Sequence, residues 1–238
     1  MGFLVGLCVL TLAVGFVKTE EFAPKEFALN GTLKLLPVNP PTPIESITWK
    51  HQGNLLAERY KGMAAPEYYG QFKGRTSLDF STGEITISNV KTEDDGKYTI
   101  EINNVIQNAG YQVKIIREVP VPTVDLKPLS CSGTSASCSL HCEGDVEGAG
   151  TVRYFWKEGD QNWRESLNKK EIKNDADTQK IKAFFCKVKN SVSEKESAAK
   201  QNPFYKEEES SSGGTVAGIV IGTGNLFLVN LAFTKQLG

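Results

Sequence analysis

Along most of this chain apolar and polar residues alternate with a period of two. Gly31-Thr32-Leu33-Lys34-Leu35, Tyr98-Thr99-Ile100-Glu101-Ile102 and Cys138-Ser139-Leu140-His141-Cys142 each place their apolar members on one side. Successive side chains on a strand point to opposite faces, so each stretch predicts a β-strand with one buried and one solvated face. Two stretches break the alternation. Phe3 to Val14 is a continuous apolar run, short for a bilayer span, and Ala13-Val14-Gly15 offers a small-x-small cleavage site. It reads as a secretory leader over residues 1–17. Thr215 to Phe233 is the second run. As a helix rising 1.5 Å per residue it spans about 28 Å, enough for a hydrocarbon core. The acidic, Ser- and Gly-rich segment before it, Glu207 to Gly214, has nothing to bury and completes a solvated stalk over residues 205–214.

The region between leader and stalk repeats one pattern twice. Trp49 follows Leu35 by 14 residues, and Trp156 follows Cys142 by 14 residues. Asp94-x-Gly96-x-Tyr98 has the form that opens strand F of an immunoglobulin sandwich, where the second residue after the Tyr is usually Cys. Here it is Ile100. The predicted fold is therefore all-β, with two tandem immunoglobulin-like sandwiches. From Trp49 to Ile100 the chain runs 51 residues, and from Trp156 to Cys186 it runs 30. The longer interval leaves room for two more edge strands. Residues 20–117 read as a variable-type domain and residues 119–204 as a constant-like one. Val119-Pro120-Val121-Pro122 between them is a stiff, extended linker. Leu35, Ile100 and Trp49 replace the central disulfide of the first domain by packing. Losing such a bond costs about 2–5 kcal/mol, and burying two large aliphatics returns roughly 1.5–3 kcal/mol each. Arg75 and Asp94 are expected to form an ion pair closing the base of that domain, a structural contact.

The 238 residues carry a net charge of −1, which gives no support to nucleic-acid binding. His51 and His141 are the two histidines, without a nucleophile or acid partner set, and no Gly-rich phosphate loop occurs. No catalytic residue, cofactor or small-molecule substrate is expected. Cys8 leaves with the leader, and Cys131, Cys138, Cys142 and Cys186 remain, with three possible connectivities. Cys142 and Cys186 occupy the inter-sheet positions. Cys131 and Cys138 are left to each other, the alternative being that one of them pairs differently. Metal ligation is not expected, because no C-x-x-C pair exists and His141 alternates away from its Cys neighbours. Asn30-Gly31-Thr32 is a glycosylation sequon before the second strand. For the terminal segment 215–233, a single outward-to-inward transmembrane helix flanked by Lys235 competes with a lipid-anchor signal using the small residues Ser210 to Gly213. No Tyr follows Tyr205, so no tyrosine-based signalling tail is expected.

Several segments together resemble the SLAM-related lymphocyte adhesion receptors (the signalling lymphocytic activation molecule family), and among them the ligand-type members. They are Ile47-Thr48-Trp49-Lys50-His51-Gln52, Leu56-Ala57-Glu58, Phe72-Lys73-Gly74-Arg75, Leu78-Asp79, Ser81 to Ile87, the acidic run before Tyr98, and Cys186-Lys187-Val188-Lys189-Asn190-Ser191-Val192-Ser193. That family's first domain also lacks the central disulfide. Ser191 stands where the family has Pro, and no Cys follows Cys186 to end the family's second disulfide. The resemblance implies a cell-surface ligand, membrane-anchored, that binds an immunoglobulin-superfamily receptor on an apposed cell, homophilically or heterophilically. It places the binding face on strands G, F, C and C′ of the first domain. Parity from Trp49 and Tyr98 puts Thr48, Lys50, Lys97, Thr99, Glu101 and Asn103 outward, and Glu58 matches the family's C′ carboxylate. Two other roles remain open at this point: a soluble decoy, and a non-adhesive subunit of a membrane receptor complex.

Overall fold

A computed structural model describes residues 21–207. The leader, the anchor segment and the stalk beyond Glu207 lie outside the described residues. The first sandwich contains β1 (Glu21–Ala28), β2 (Thr32–Leu35), β3 (Ser46–His51), β4 (Asn54–Tyr60), β5 (Glu67–Tyr68), β6 (Thr76–Leu78), β7 (Ile85–Ser88), β8 (Gly96–Ile102), β9 (Val105–Ile106) and β10 (Ala109–Ile116). One sheet runs β1-β10-β8-β3-β4-β5 with β9 beside β8, and the other runs β2-β7-β6. All pairs are antiparallel except β1 with β10, which run parallel over eight residue pairs. The extra residues between Trp49 and Ile100 include β4 and β5, the added edge strands of a variable-type sandwich.

The second sandwich contains β11 (Thr123–Lys127), β12 (Ser137–Glu143), β13 (Arg153–Glu158), β14 (Arg164–Ser166), β15 (Lys169–Lys173), β16 (Ala183–Lys189), β17 (Glu194–Glu196) and β18 (Lys200–Gln201). Its sheets run β11-β12-β15 and β14-β13-β16-β17, with β18 beside β16. Here the chain after the Trp strand makes one short edge strand, β14, before β15 joins the opposite sheet. That is the constant-like arrangement.

Alternation decides both cores. In β2 and β8 every second residue is buried, and Leu35 and Ile100 are only 1% and 2% exposed. Trp49 lies directly opposite Ile100 in the β3–β8 ladder and donates its indole N–H to Gly83 O at 2.9 Å. The first core is thus aliphatic and aromatic throughout. In the second, Cys142 and Cys186 join β12 to β16 across the sandwich beside Trp156, and Cys131 bonds Cys138. Trp156 donates its N–H to Leu167 O at 2.9 Å. Tyr98 OH donates to Asp94 O at 2.8 Å, fixing the turn into β8.

The outer face of the second sandwich carries an unusual stack. Lys157 lies over the rings of Phe185 and Trp163, and Lys187 over those of Trp163 and Phe155. Glu194 closes it by bonding both Lys187 and Lys189 at 2.8 Å. Those two ammonium groups hold the Glu194 carboxyl at about 2, well below the usual carboxylate range.

Candidate interaction face

The outward surface of the first sandwich's larger sheet is set by the two central strands. On β8, Tyr98, Ile100 and Ile102 are buried, so Lys97, Thr99 and Glu101 point away from the core. On β3, Ile47, Trp49 and His51 face inward, so Thr48 and Lys50 share the outward face. Register then builds two rows across the sheet. Glu58, Thr48, Glu101 and Ile106 lie side by side through β4, β3, β8 and β9. Leu55, Lys50 and Thr99 form the next row.

Charges on this face are held by neighbours. Lys50 Nζ reaches diagonally from one row to the other and meets Glu101 Oε2 at 3.3 Å, both side chains about one-third exposed. Glu58 accepts from Tyr69 OH at 2.5 Å and from Tyr60 OH at 3.2 Å. Tyr69 OH also lies 2.9 Å from Glu67 Oε2. One phenol proton serves two carboxylates, and its bonds to Glu58 and then Glu67 push the Tyr69 pKa up. Lys97 Nζ sits 4.7 Å from the centre of the Phe22 ring, a cation–π contact from the edge strand β1. Gly110 makes this possible. A Cβ there would come within 2.7 Å of both the Phe22 ring and Tyr98 O.

The seven residues expected on this face fare differently. Lys50, Glu58, Lys97, Thr99 and Glu101 lie together on it. Thr48 is outward but 9% exposed, covered between its carboxylate neighbours. Asn103 departs from parity. β8 ends at Ile102, and Asn103 begins a turn at φ 52°. Its carboxamide accepts from Glu45 N–H at 2.8 Å and Ser46 N–H at 3.1 Å, and donates to Pro43 O at 3.0 Å. Asn103 therefore ties two loops together. Phe22, Tyr69 and Ile106 escaped sequence reasoning: Phe22 arrives by pairing with a strand distant in sequence, Tyr69 lies just past the end of β5, and Ile106 sits on the two-residue strand that turns back on β8. Ile106 is 60% exposed, an apolar group on the rim.

The other named residues have structural places. Arg75 and Asp94 bond at the base of the sandwich. Asn30 is exposed at φ 62° in the turn leading from β1 into β2, which belongs to the other sheet. His141 is half-buried and bonds Ser139 at 3.2 Å. Among the described residues no group of three or more His, Cys, Asp or Glu is placed to hold a metal. Nor is any described helix long and apolar enough to cross a membrane.

The fold is that of a two-domain immunoglobulin-like chain, variable-type then constant-like. Comparison with known proteins agrees. Human lymphocyte function-associated antigen 3 is 27% identical over 119 residues, covering 48% of this chain and 44% of that protein. The match thus spans less than half the length of that relative. The crystal structure of the CD2-binding domain of CD58 (lymphocyte function-associated antigen 3) superposes with a TM-score of 0.57 at 18% identity, covering 76% of this chain and 96% of that one. Murine CEACAM1b superposes with a TM-score of 0.56 at 20% identity, covering 74% and 94%. No protein-family model matches the chain.

Proposed function

We propose that this chain is a cell-surface adhesion ligand of the SLAM-related kind. Its first sandwich, residues 20–117, binds an immunoglobulin-type domain of a receptor on an apposed cell, like or unlike itself. The binding face is the outer surface of β10, β8, β3 and β4, with Lys50, Glu58, Lys97, Thr99 and Glu101 as its polar contacts. A leader over residues 1–17 delivers it to the surface, and segment 215–233 anchors it, as a single-pass helix with lipid attachment as the alternative. The second sandwich, residues 119–204, lifts the face away from the membrane.

The observation that carries this reading is the Lys50–Glu101 pair at the centre of a solvated sheet face, flanked by Glu58 and Lys97. Partly exposed ion pairs add little affinity, roughly 0–1 kcal/mol each, yet mismatched charges are penalised. A face of this kind gives selective, quickly reversed binding, and many contacts between two membranes supply the strength. The sequence relationship to lymphocyte function-associated antigen 3 supports the same reading.

The test is conjugate formation between cells displaying the full chain and a panel of leukocytes. Charge reversal at Lys50→Glu or Glu101→Lys is expected to remove conjugates while leaving surface display unchanged. Undiminished conjugates with both variants would sink the face assignment. Phospholipase treatment of the same cells decides the anchor, since only a lipid-linked chain is released.

A further inference from the structure

The two sandwiches follow one another directly in the chain, with six residues between β10 and β11. β10 ends at Ile116 and the chain passes through Arg117, Glu118 and Val119 into the second sandwich. The linker's main chain is bonded to that sandwich at three points. Arg117 N–H donates to Gly148 O at 2.8 Å. Arg117 O accepts from Asn190 Nδ2 at 2.8 Å. Val119 N–H donates to Ser193 Oγ at 2.7 Å.

Asn190 is the centre of this arrangement and is only 6% exposed. Its Nδ2 donates a second bond to Ala149 O at 2.9 Å. Its Oδ1 accepts from Val192 N–H at 3.1 Å, Ser193 N–H at 2.8 Å and Ser193 Oγ at 2.9 Å. Both donors and the acceptor of the carboxamide are used, so the side chain has a single satisfied orientation. Apolar packing and charge surround it. Ile116 is 3% exposed, and a Cβ on Gly150 would lie 3.3 Å from its Cγ2. Ser191 Oγ donates to Glu26 on β1. Arg117 reaches Glu147 O at 3.1 Å, and Lys195 meets Glu118 at 3.3 Å.

We propose that Asn190 pins a rigid joint, so that the two sandwiches move as one body. Prolines stiffen a linker locally but do not fix the angle between the domains it connects. The two main-chain bonds of Arg117, one residue past the end of β10, into the second sandwich, together with the Ser191–Glu26 bond across the joint, do fix it. Resting on the adhesion reading above, the joint holds the binding face at one angle to the second sandwich, so that less orientational freedom is lost when the face docks on its partner.

The experiment measures distances between nitroxide labels on Ser77 in the first sandwich and Asn162 in the second, in the full-length detergent-solubilised chain. One narrow distribution is expected, and Asn190→Ala should at least double its width. Ser193→Ala, which removes the hydroxyl's bonds to Val119 N–H and Asn190 Oδ1 but leaves Asn190 on Arg117 O, should give an intermediate width and covers the case in which Asn190→Ala does not fold. A native distribution as broad as that of either variant overturns the proposal. In the conjugate assay Asn190→Ala should reduce conjugates several-fold at equal display. Absence of conjugates with the native chain counts against the adhesion reading alone, and the distance distribution then decides the joint.

Discussion

Arg75 and Asp94 grip each other by two prongs at the base of the first sandwich, Nη1 to Oδ2 at 2.7 Å and Nη2 to Oδ1 at 2.6 Å. The Asp94 side chain has no exposed surface and also accepts from Lys91 N–H at 2.8 Å. Burial by itself raises a carboxyl pKa. Here the guanidinium and the Lys91 amide outweigh it, and the Asp94 pKa lies below its ordinary value.

That depression gives stability a pH dependence of known sign. The contribution of the pair is complete above about pH 4, where an unfolded Asp is ionised, and is lost as pH falls toward the lower folded pKa. Asp94→Asn leaves Arg75 without its acid and should cost about 3–5 kcal/mol at pH 7. Unfolding of the native chain and the variant at pH 7, 4 and 2.5 checks this. The gap should narrow at the acid end.

Reduction separates the two sandwiches. With both disulfides in the second, a thiol reductant should lower that domain's unfolding transition by about 2–5 kcal/mol. The first transition should stay where it is. Calorimetry with and without reductant reads both.

The packed substitute for a disulfide has its own signature. Leu35→Ala or Ile100→Ala should destabilise the first domain by about 2–5 kcal/mol, the cost of a cavity in a closed core. Denaturant unfolding measures it, and the second transition serves as the internal control.

Asn103 offers a contrast with its neighbours on β8. Asn103→Ala removes three hydrogen bonds and puts a side chain less suited to positive φ in the turn. A loss of about 1–3 kcal/mol is expected, because two backbone amides lose their acceptor. Conjugate formation should survive in whatever fraction stays folded, unlike the outcome for Lys50 or Glu101. Thermal unfolding and the cell assay together distinguish these roles.

Much of the fold was legible because two rules are strict. Strand parity assigns Lys97, Thr99 and Glu101 to one face and Tyr98, Ile100 and Ile102 to the other, whatever the surroundings. The 14-residue spacing of Leu35–Trp49 and Cys142–Trp156 marks the two halves of one architecture. Asn103 misleads because parity holds only while the strand lasts, and a turn begins one residue earlier than the pattern indicates. Phe22 reaches the face through a strand 75 residues before Lys97, and the Tyr69 phenol reaches Glu58 from beyond a strand end. Local pattern carries neither fact. Asn190 was visible as a motif member, but its five side-chain bonds depend on loops from three parts of the chain.

The parallel pairing of β1 with β10 has a consequence for how the chain tolerates trimming. β10 would otherwise present a row of unpaired main-chain groups at the rim of the sheet, and such a rim templates strand addition by other molecules. β1 masks it along eight residues. Proteolysis that nibbles past Glu21 would therefore do more than shorten the molecule. It would move the open rim from β1, blunted by Pro24, Lys25 and Glu26, to β10, a seam more open to self-association.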